Sequence, residues 1–312
     1  MTIYELIKYG EYRLKKAGIQ NSYNESLGLM QYALGLNLEK IIVSYEDNIS
    51  EEKKQTFEKL IERRFKKEPF AYIVKNKEFY SLNFYVDESV LIPRPDTECL
   101  VDTAIEEIQR FYGIYKKKIY VLDIGTGSGA IAISIAKNFD NVIIYAADNN
   151  LKTLNTARKN IINNGVQEKI VPVYLDMLKL NGGENLSFHT SDTSAGDFNF
   201  YNLNNYDLII SNPPYITTED LTSLENDIKL YEPVGALDGG KDGLLFYRKI
   251  FDAASFACEK IKTLILEIDY RKKKEIQSLF DEKFNNINLR FKEICFINDL
   301  NNKERAVKIT YG

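Results

Sequence analysis

An apolar run, Ile119–Leu122, leads directly into Asp123-Ile124-Gly125-Thr126-Gly127-Ser128-Gly129, and a helix-forming stretch, Ala130–Lys137, follows. A strand, a glycine turn and a helix in that order open a parallel crossover. The alternation continues. Val142–Ala146 reads as a strand and Leu151–Asn163 as a helix. Ile170–Tyr174 and Tyr206–Ile210 read as strands, Leu244–Cys258 as a helix and Thr263–Glu267 as a strand. Leu289–Ile297 and Arg305–Thr310 look like a closing strand pair. Strands alternating with helices predict an α/β fold with a mainly parallel sheet.

The chain before this region follows a different period. Ile3, Leu6, Ile7 and Leu14 recur at helical spacing, and Leu27, Met30, Tyr32, Ala33 and Leu34 form a second apolar face. Ser50-Glu51-Glu52-Lys53 resembles a helix start, with Phe57, Leu60, Ile61 and Phe65 as its stripe. A helical bundle over residues 1–71 follows. From Tyr72, Ile73 and Val74 through Phe79, Tyr80, Leu82, Phe84, Tyr85 and Val86 the residues are strand formers, so a β-hairpin linker is expected over 72–95. Pro93 and Pro95 stiffen the chain, and Asp96 or Thr97 is placed to cap the next helix. The third region runs from 96 to 312. Within it, residues 180–205 are polar and rich in Asn, Ser, Asp and Gly, and read as a surface insertion.

Composition excludes several classes of function. No apolar stretch approaches the ~18 residues of a membrane span, and the first residues lack the order of a signal peptide. Cys99, Cys258 and Cys295 are odd in number and widely spaced, which fits neither a disulfide framework nor a metal site. A cytoplasmic protein without a metal is expected. His189 is the sole histidine and reads as a solvated loop residue. Residues 1–95 carry 15 Lys and Arg against 14 Asp and Glu, so the net charge of −4 leaves −5 to the remainder. That acidic part is a poor match to nucleic acid. Lys116–Lys118 and Arg271–Lys274 read as solvated faces.

Two motifs carry chemistry. The glycines of 125–129 permit a tight turn and close approach of a ligand, with N–H groups and a helix N-terminus forming a polar cradle. Asp148 ends the next strand, where a carboxylate can grip both hydroxyls of a ribose. Together they indicate a nucleoside cofactor, NAD included. The second motif, Asn212-Pro213-Pro214-Tyr215, ends a later strand of the same sheet. Proline lacks an N–H, which leaves the carbonyls of Asn212 and Pro213 free to accept. Acceptors beside an aromatic face suit a planar NH2 group, whether of adenine or of an amide.

The whole chain resembles the HemK-like glutamine methyltransferases that modify peptide chain release factors. Glu68-Pro69-Phe70-Ala71-Tyr72-Ile73 and Leu91-Ile92-Pro93-Arg94-Pro95-Asp96-Thr97-Glu98 carry the likeness. So do the glycine loop, Asp148, the Asn-Pro-Pro-Tyr step, Tyr231-Glu232-Pro233, Asp242-Gly243-Leu244 and Arg305. The resemblance implies a doubly wound, mostly parallel, seven-stranded Rossmann-like sheet. It implies S-adenosylmethionine as cofactor and, as partner, a class 1 release factor whose Gly-Gly-Gln tip enters the pocket of a monomer. Cofactor contacts are then expected from Gly125, Thr126, Gly127, Ser128, Gly129, Asp148, Met177 and Asn212. Asn212, Pro213, Pro214 and Tyr215 are expected to bind the substrate amide, with Asn212, Pro213 and Tyr215 catalytic and Tyr215 packed on the amide. Glu98 and Arg94 are expected to shape the site or to serve as structural capping residues.

The chain also departs from the family. Asp269 and Lys272 replace glycine and glutamine, at a distance expected to keep them away from the chemistry. Met177 stands where an aromatic is common, and the 180–205 insertion is long. Neighbouring readings are a ribosomal-protein glutamine methyltransferase, a DNA adenine methyltransferase and a silent binding module. The Pro93–Glu98 segment favours release factors over the first, and the acidic second part speaks against DNA.

Overall fold

The computed structural model describes residues 1–115, 117–179, 203–256, 261–284, 291–299 and 301–311. His189, Cys258, Lys116 and nearly all of the 180–205 segment lie outside the described residues, as do the first residues expected in the strand from Leu289. The chain forms two compact units. One comprises residues 1–76 together with 224–232, and the other comprises 77–223 and 233–312.

Helices α1 (Ile3–Lys16), α2 (Ser22–Leu34), α3 (Leu38–Val43), α4 (Glu51–Phe65) and α5 (Phe70–Val74) build the first unit. Thr2 starts α1 through a capping box, accepting from the Glu5 N–H while the Glu5 carboxylate accepts from the Thr2 N–H. Ser50 caps α4 as expected. Leu6, Ile7, Leu14, Leu29, Met30, Phe57 and Ile61 form the core. The faces differ from their sequence reading at two places. Tyr32 is exposed, because Ser22, Ser26, Leu29 and Ala33 turn inward instead. Phe65 is only half-buried, while Arg64 is buried and paired with Glu25 at 2.5 Å and Asp227 at 2.7 Å. Asp227 belongs to a short helix, Asn226–Tyr231, whose Tyr231 hydroxyl also donates to the Lys66 carbonyl.

Tyr72–Val74 are helical, not extended. Pro69 opens α5, Lys75 ends it at a φ of 54°, and Tyr72 and Ile73 are buried. Burial of one helical face outweighs the β preference of these side chains. The hairpin is therefore confined to β1 (Lys77–Phe79) and β2 (Leu82–Phe84), joined by Tyr80 and Ser81, both at positive φ. Glu98 holds that turn by accepting from the Tyr80 N–H at 2.8 Å.

The second unit is built on one sheet. Its strands are β3 (Ile119–Ile124), β4 (Val142–Asp148), β5 (Ile170–Tyr174), β6 (Leu208–Ser211), β7 (Thr263–Glu267), β8 (Phe291–Asn298) and β9 (Glu304–Tyr311). Their order is β5-β4-β3-β6-β7-β9-β8; β9 is antiparallel to both neighbours and the other pairs are parallel. Helices α6 (Glu98–Tyr115), α7 (Ala130–Asn138), α8 (Leu151–Asn163), α10 (Leu245–Phe256) and α11 (Lys273–Phe284) complete the unit; Asn226–Tyr231, α9 in chain order, belongs to the first unit. Leu122, Ile124, Ile209, Leu264, Leu266 and Phe251 lie in its core.

Among the described residues neither the Asp96 nor the Thr97 side chain accepts from a first-turn N–H of α6. Pro95–Thr97 form a 3-10 turn, Asp96 pairs with Arg305 at 2.8 Å, and Thr97 turns inward. The described residues of the basic runs lie at the surface, as expected, and each run is also anchored by ion pairs. Lys117 meets Asp207, Arg271 meets Asp269 and Lys273 meets Glu304. Asp207 and Asp269 are buried, and a buried carboxylate needs a cation or donor beside it. Among the described residues no helix is long and apolar enough to cross a membrane.

Candidate active site

The sheet order reverses between β3 and β6. Strands β4 and β5 follow on one side of β3, and β6 lies on the other. Such a switch point opens a crevice at the carboxyl ends of the strands. Ile124 pairs with Ser211 in register, so the glycine loop and the Asn-Pro-Pro-Tyr step leave the sheet side by side. The Ser211 hydroxyl fastens the two ends by donating to the Ile124 carbonyl at 2.6 Å. Here lies a cavity of about 220 Å³.

The glycine loop forms one wall. The N–H groups of Gly125 and Thr126 donate to the Ala147 carbonyl at 2.8 and 2.9 Å, which pins the loop to β4. Gly125 has a φ of 72° and Gly127 one of 57°, a region that glycine enters without steric cost. A side chain on Gly125 would project into open space. The Thr126 hydroxyl donates to Asp123, whose carboxyl is wholly buried and pushed up to about 7 by that burial.

Asp148 lines the adjoining wall. Its carboxylate accepts from the Gly127 N–H at 3.2 Å and the Asn150 N–H at 3.0 Å, and burial raises its pKa. Met177, past the end of β5, is buried and lines the same cavity. Val90, Leu91 and Pro93 close another side. Helix α8 holds their segment. Asn160 brackets the Tyr85 peptide, accepting at 2.7 Å and donating at 2.9 Å, and also donates to the Ser128 carbonyl. The Thr153 hydroxyl donates to the Ser89 carbonyl at 2.7 Å.

Asn212 and Pro214 reach the cavity. The Asn212 side-chain N–H donates to the Thr97 hydroxyl at 3.2 Å, and its Oδ1 takes no hydrogen bond among the described residues. Thr97 in turn donates to Glu267 Oε2 at 2.6 Å, and the Tyr215 hydroxyl donates to Glu267 Oε1 at 3.2 Å. Glu267 ends β7, is 2% exposed, and has its carboxyl pushed up to about 7, chiefly by burial. The Tyr215 phenol is raised as well, by burial and by the carboxylate beside it.

Of the residues expected from the sequence, Gly125, Thr126, Gly127, Ser128, Asp148, Met177, Asn212 and Pro214 line one cavity. Gly129, Pro213 and Tyr215 lie outside its lining. Gly129 begins α7 and faces Ile133 and Ala157, so its place is set by packing. Pro213 is buried, and Tyr215 directs its hydroxyl to Glu267 instead of the cavity. Arg94 is not in the lining, and Glu98 serves the hairpin turn. Lys272 is closer to the site than expected. Its ammonium donates to the Asp242 carbonyl, at the start of the turn that abuts Tyr215 through Gly243. Asp269 binds the neighbouring Arg271.

Several site residues carried no assigned role in the sequence reading. Thr97 was read as a cap and Asn160 only as part of a helix. Glu267 had one signal, a carboxylate ending the apolar run Thr263–Leu266. Phe246 and Ala236 line the cavity together with Pro233, which carries the family likeness but was given no role. Among the described residues no group of three His, Cys, Asp or Glu side chains could hold a metal ion.

Known proteins resemble the chain along its length. Residues 5–74 match the family model of the PrmC N-terminal domain, and residues 112–227 match that of the methyltransferase small domain. A release factor glutamine methyltransferase of Clostridium botulinum is 34% identical over 312 residues, which cover 99% of each chain. One of Bacillus cereus is 31% identical over 98% of each chain. A bifunctional methyltransferase of Rickettsia felis is 30% identical, over 94% of this chain and 56% of its own length. The solved structure of the hMettl16 catalytic domain in complex with MAT2A 3'UTR hairpin 6 has a TM-score of 0.52 at 14% identity, covering 75% of this chain and 76% of that one. At that identity the likeness is one of fold.

Proposed function

The chain belongs to the release factor glutamine methyltransferase family, and from that premise we propose how its residues carry the reaction. The enzyme methylates the side-chain amide nitrogen of a release-factor glutamine, in the Gly-Gly-Gln motif. S-adenosylmethionine, when bound, supplies a methyl group carried on positively charged sulfur. The cavity suits that group. Gly125 and Gly127 leave the backbone open to close approach. Asp148 offers a carboxylate to a pair of ribose hydroxyls, and the flexible thioether of Met177 can cover a base face.

The amide nitrogen is a poor nucleophile, because its lone pair is delocalised into the carbonyl. Asn212 and Pro213 answer this by accepting. The free Oδ1 of Asn212 takes one amide hydrogen, and the Pro213 carbonyl, which joins the buried Pro213 to the lining residue Pro214, takes the other; together they fix the NH2 plane and leave more electron density on nitrogen. Aiming the nitrogen in line supplies up to about 7–11 kcal/mol of the barrier reduction. No general base is required at the start, so the chemistry rests on preorganised polar groups. Tyr215 contributes through its bond to Glu267 rather than by stacking on the amide. The first unit is proposed to recognise the release factor. Every residue invoked lies in one chain, so a monomer suffices.

The observation that carries this reading is that Asn212 shares a cavity with the glycine loop and Asp148. The test is incubation with labelled S-adenosylmethionine and three acceptors: an unmodified release factor, a ribosomal protein and adenine-containing DNA. Mass spectrometry then locates the methyl group. Label on the release-factor glutamine is expected. Label on DNA or the ribosomal protein alone would reject the reading.

A further inference from the structure

We propose that Glu267 is a positioning residue that decides which way the Asn212 amide faces, acting through the Thr97 hydroxyl. The proposal rests on the reading of Asn212 as the amide clamp. It follows from counting donors. An ionised carboxylate only accepts, so both hydroxyls that touch it must donate. Thr97 gives its single O–H to Glu267 Oε2 at 2.6 Å and Tyr215 gives its own to Oε1 at 3.2 Å. The Thr97 oxygen is then left with lone pairs alone, and the group it meets 3.2 Å away must be a donor. Asn212 is compelled to present its NH2 to Thr97. Its oxygen is thereby left for the substrate amide.

Three groups in series thus convert a buried negative charge into the orientation of a side-chain amide. The two faces of that amide differ little in shape, so packing alone would hold it in either sense. Thr97 and Glu267 are both buried, which keeps water from satisfying the wrong orientation. The separations of 170 residues between Glu267 and Thr97 and 115 between Thr97 and Asn212 show that three distant segments meet for this chain of bonds.

Protonation of Glu267 would reverse the polarity. A carboxyl O–H on Oε2 can donate to Thr97, whose own O–H is then released toward Asn212. The amide would turn to offer its oxygen, and its NH2 would face the substrate amide, donor against donor. The groups around Glu267 set where this happens. Arg305 on β9 is the cation that favours the ionised form. Burial opposes it, as does Asp96, while the hydrogen bonds from Thr97 and Tyr215 favour the ionised form alongside Arg305. Cys99 on α6 and Tyr247 on α10 meet the same carboxylate, whose charge raises both of them. Asp269, beyond β7, acts on the two tyrosines and is held by Arg271. The balance lies at about 7, so the clamp would be lost on the acid side of neutrality.

The experiment compares wild type, Thr97→Val, Thr97→Ser and Glu267→Gln with S-adenosylmethionine and an unmodified release factor. It measures kcat from about pH 5.5 to 8.5, with cofactor affinity determined calorimetrically as the check on folding. Wild-type kcat should fall on the acid side of about pH 7. Thr97→Val, which keeps shape and removes the relay, should lose about 10- to 100-fold in kcat with cofactor affinity unchanged. Thr97→Ser should recover to within about threefold of wild type, since it restores the hydroxyl. Glu267→Gln should lose the acid limb of the profile. A Thr97→Val enzyme within about twofold of wild type in kcat would overturn the relay while leaving the glutamine reading intact. An unaltered acid limb in Glu267→Gln would do the same. A wild type that places no methyl on glutamine would remove the reading beneath it, and the relay with it.

Discussion

Gly239 lies so close beneath Tyr215 that a methyl group on it would sit 2.7 Å from the Tyr215 Cα and 2.8 Å from the Pro214 carbonyl oxygen. Both contacts are to backbone, which cannot swing aside as a long side chain would. The Gly239 N–H also donates to the Ile216 carbonyl at 2.7 Å, so the two segments are joined as well as packed. Gly239→Ala is therefore expected to push the Asn212–Tyr215 step outward. A displacement near 1 Å at a reacting group costs about 100-fold in rate, and overpacking costs about 1–3 kcal/mol in stability. Steady-state kinetics and thermal unfolding on the same preparation check both. A variant with normal kcat would show that the step tolerates movement.

Asn212→Ala removes the acceptor that holds the substrate amide without touching the glycine loop or Asp148. Loss of one preorganised polar group costs about 10²–10³ in kcat. Cofactor affinity should stay near wild type, because the remaining cofactor contacts are unchanged. Single-turnover methyl transfer and calorimetric titration separate the two quantities. Turnover within a few-fold of wild type would remove Asn212 from the clamp.

Asp148→Ala should show the opposite pattern. A hydrogen bond to a charged group is worth about 1.5–3 kcal/mol, so cofactor affinity should fall by about 10- to 100-fold. At saturating cofactor, kcat should be near normal. Burial raises the Asp148 carboxyl in the free enzyme, so affinity in the wild type should weaken as pH falls and the group takes up a proton. The variant should lose that part of the pH dependence. Calorimetry at two pH values tests both statements.

Much of the sheet was legible because its signals are local. Leu151–Asn163, Ile170–Tyr174 and Thr263–Glu267 begin and end where periodicity places them. The glycine loop and Asn212 could be assigned to one sheet edge for the same reason. What escaped were contacts between distant segments. Thr97 looks like a helix cap until Glu267 and Asn212 are brought beside it. Arg64 looks like a surface residue until Glu25 and Asp227 surround it, the latter 163 residues away. Tyr72–Val74 favour a strand by composition and become helical because that conformation buries Tyr72 and Ile73. Sequence spacing carries no direct record of such meetings.

The Arg64 cluster yields a prediction for the first unit. The Arg64 side chain is buried, and its guanidinium meets Glu25 at 2.5 Å and Asp227 at 2.7 Å while also donating to the Glu68 carbonyl. Removing one member of a buried ion pair leaves an uncompensated charge and costs about 3–5 kcal/mol. Arg64→Ala strands two carboxylates and should be the more damaging change. Asp227→Asn retains a polar group and leaves Glu25 in place, so its cost should be smaller. Chemical denaturation of both variants gives the order, and equal stabilities would argue that the cluster is solvated.

Asp123 links the site to stability. Its carboxyl is fully buried beneath the glycine loop and pushed from 3.8 up to about 7, by burial first, against the opposing hydrogen bond from Thr126. A carboxyl whose folded pKa exceeds its unfolded value binds its proton more tightly in the folded state. The resulting stabilisation is present in full below about 3.8 and is lost as pH rises through about 7. At pH 8 the ionised group therefore works against the fold. Asp123→Asn keeps the shape and an acceptor for Thr126 while removing the charge. Its melting temperature should decline less than that of wild type between about pH 5 and 8, with the gap greatest at the alkaline end. Parallel melting curves across that range test the sign directly. A steeper decline in the variant would mean that the ionised Asp123 is stabilised by partners stronger than its burial penalty.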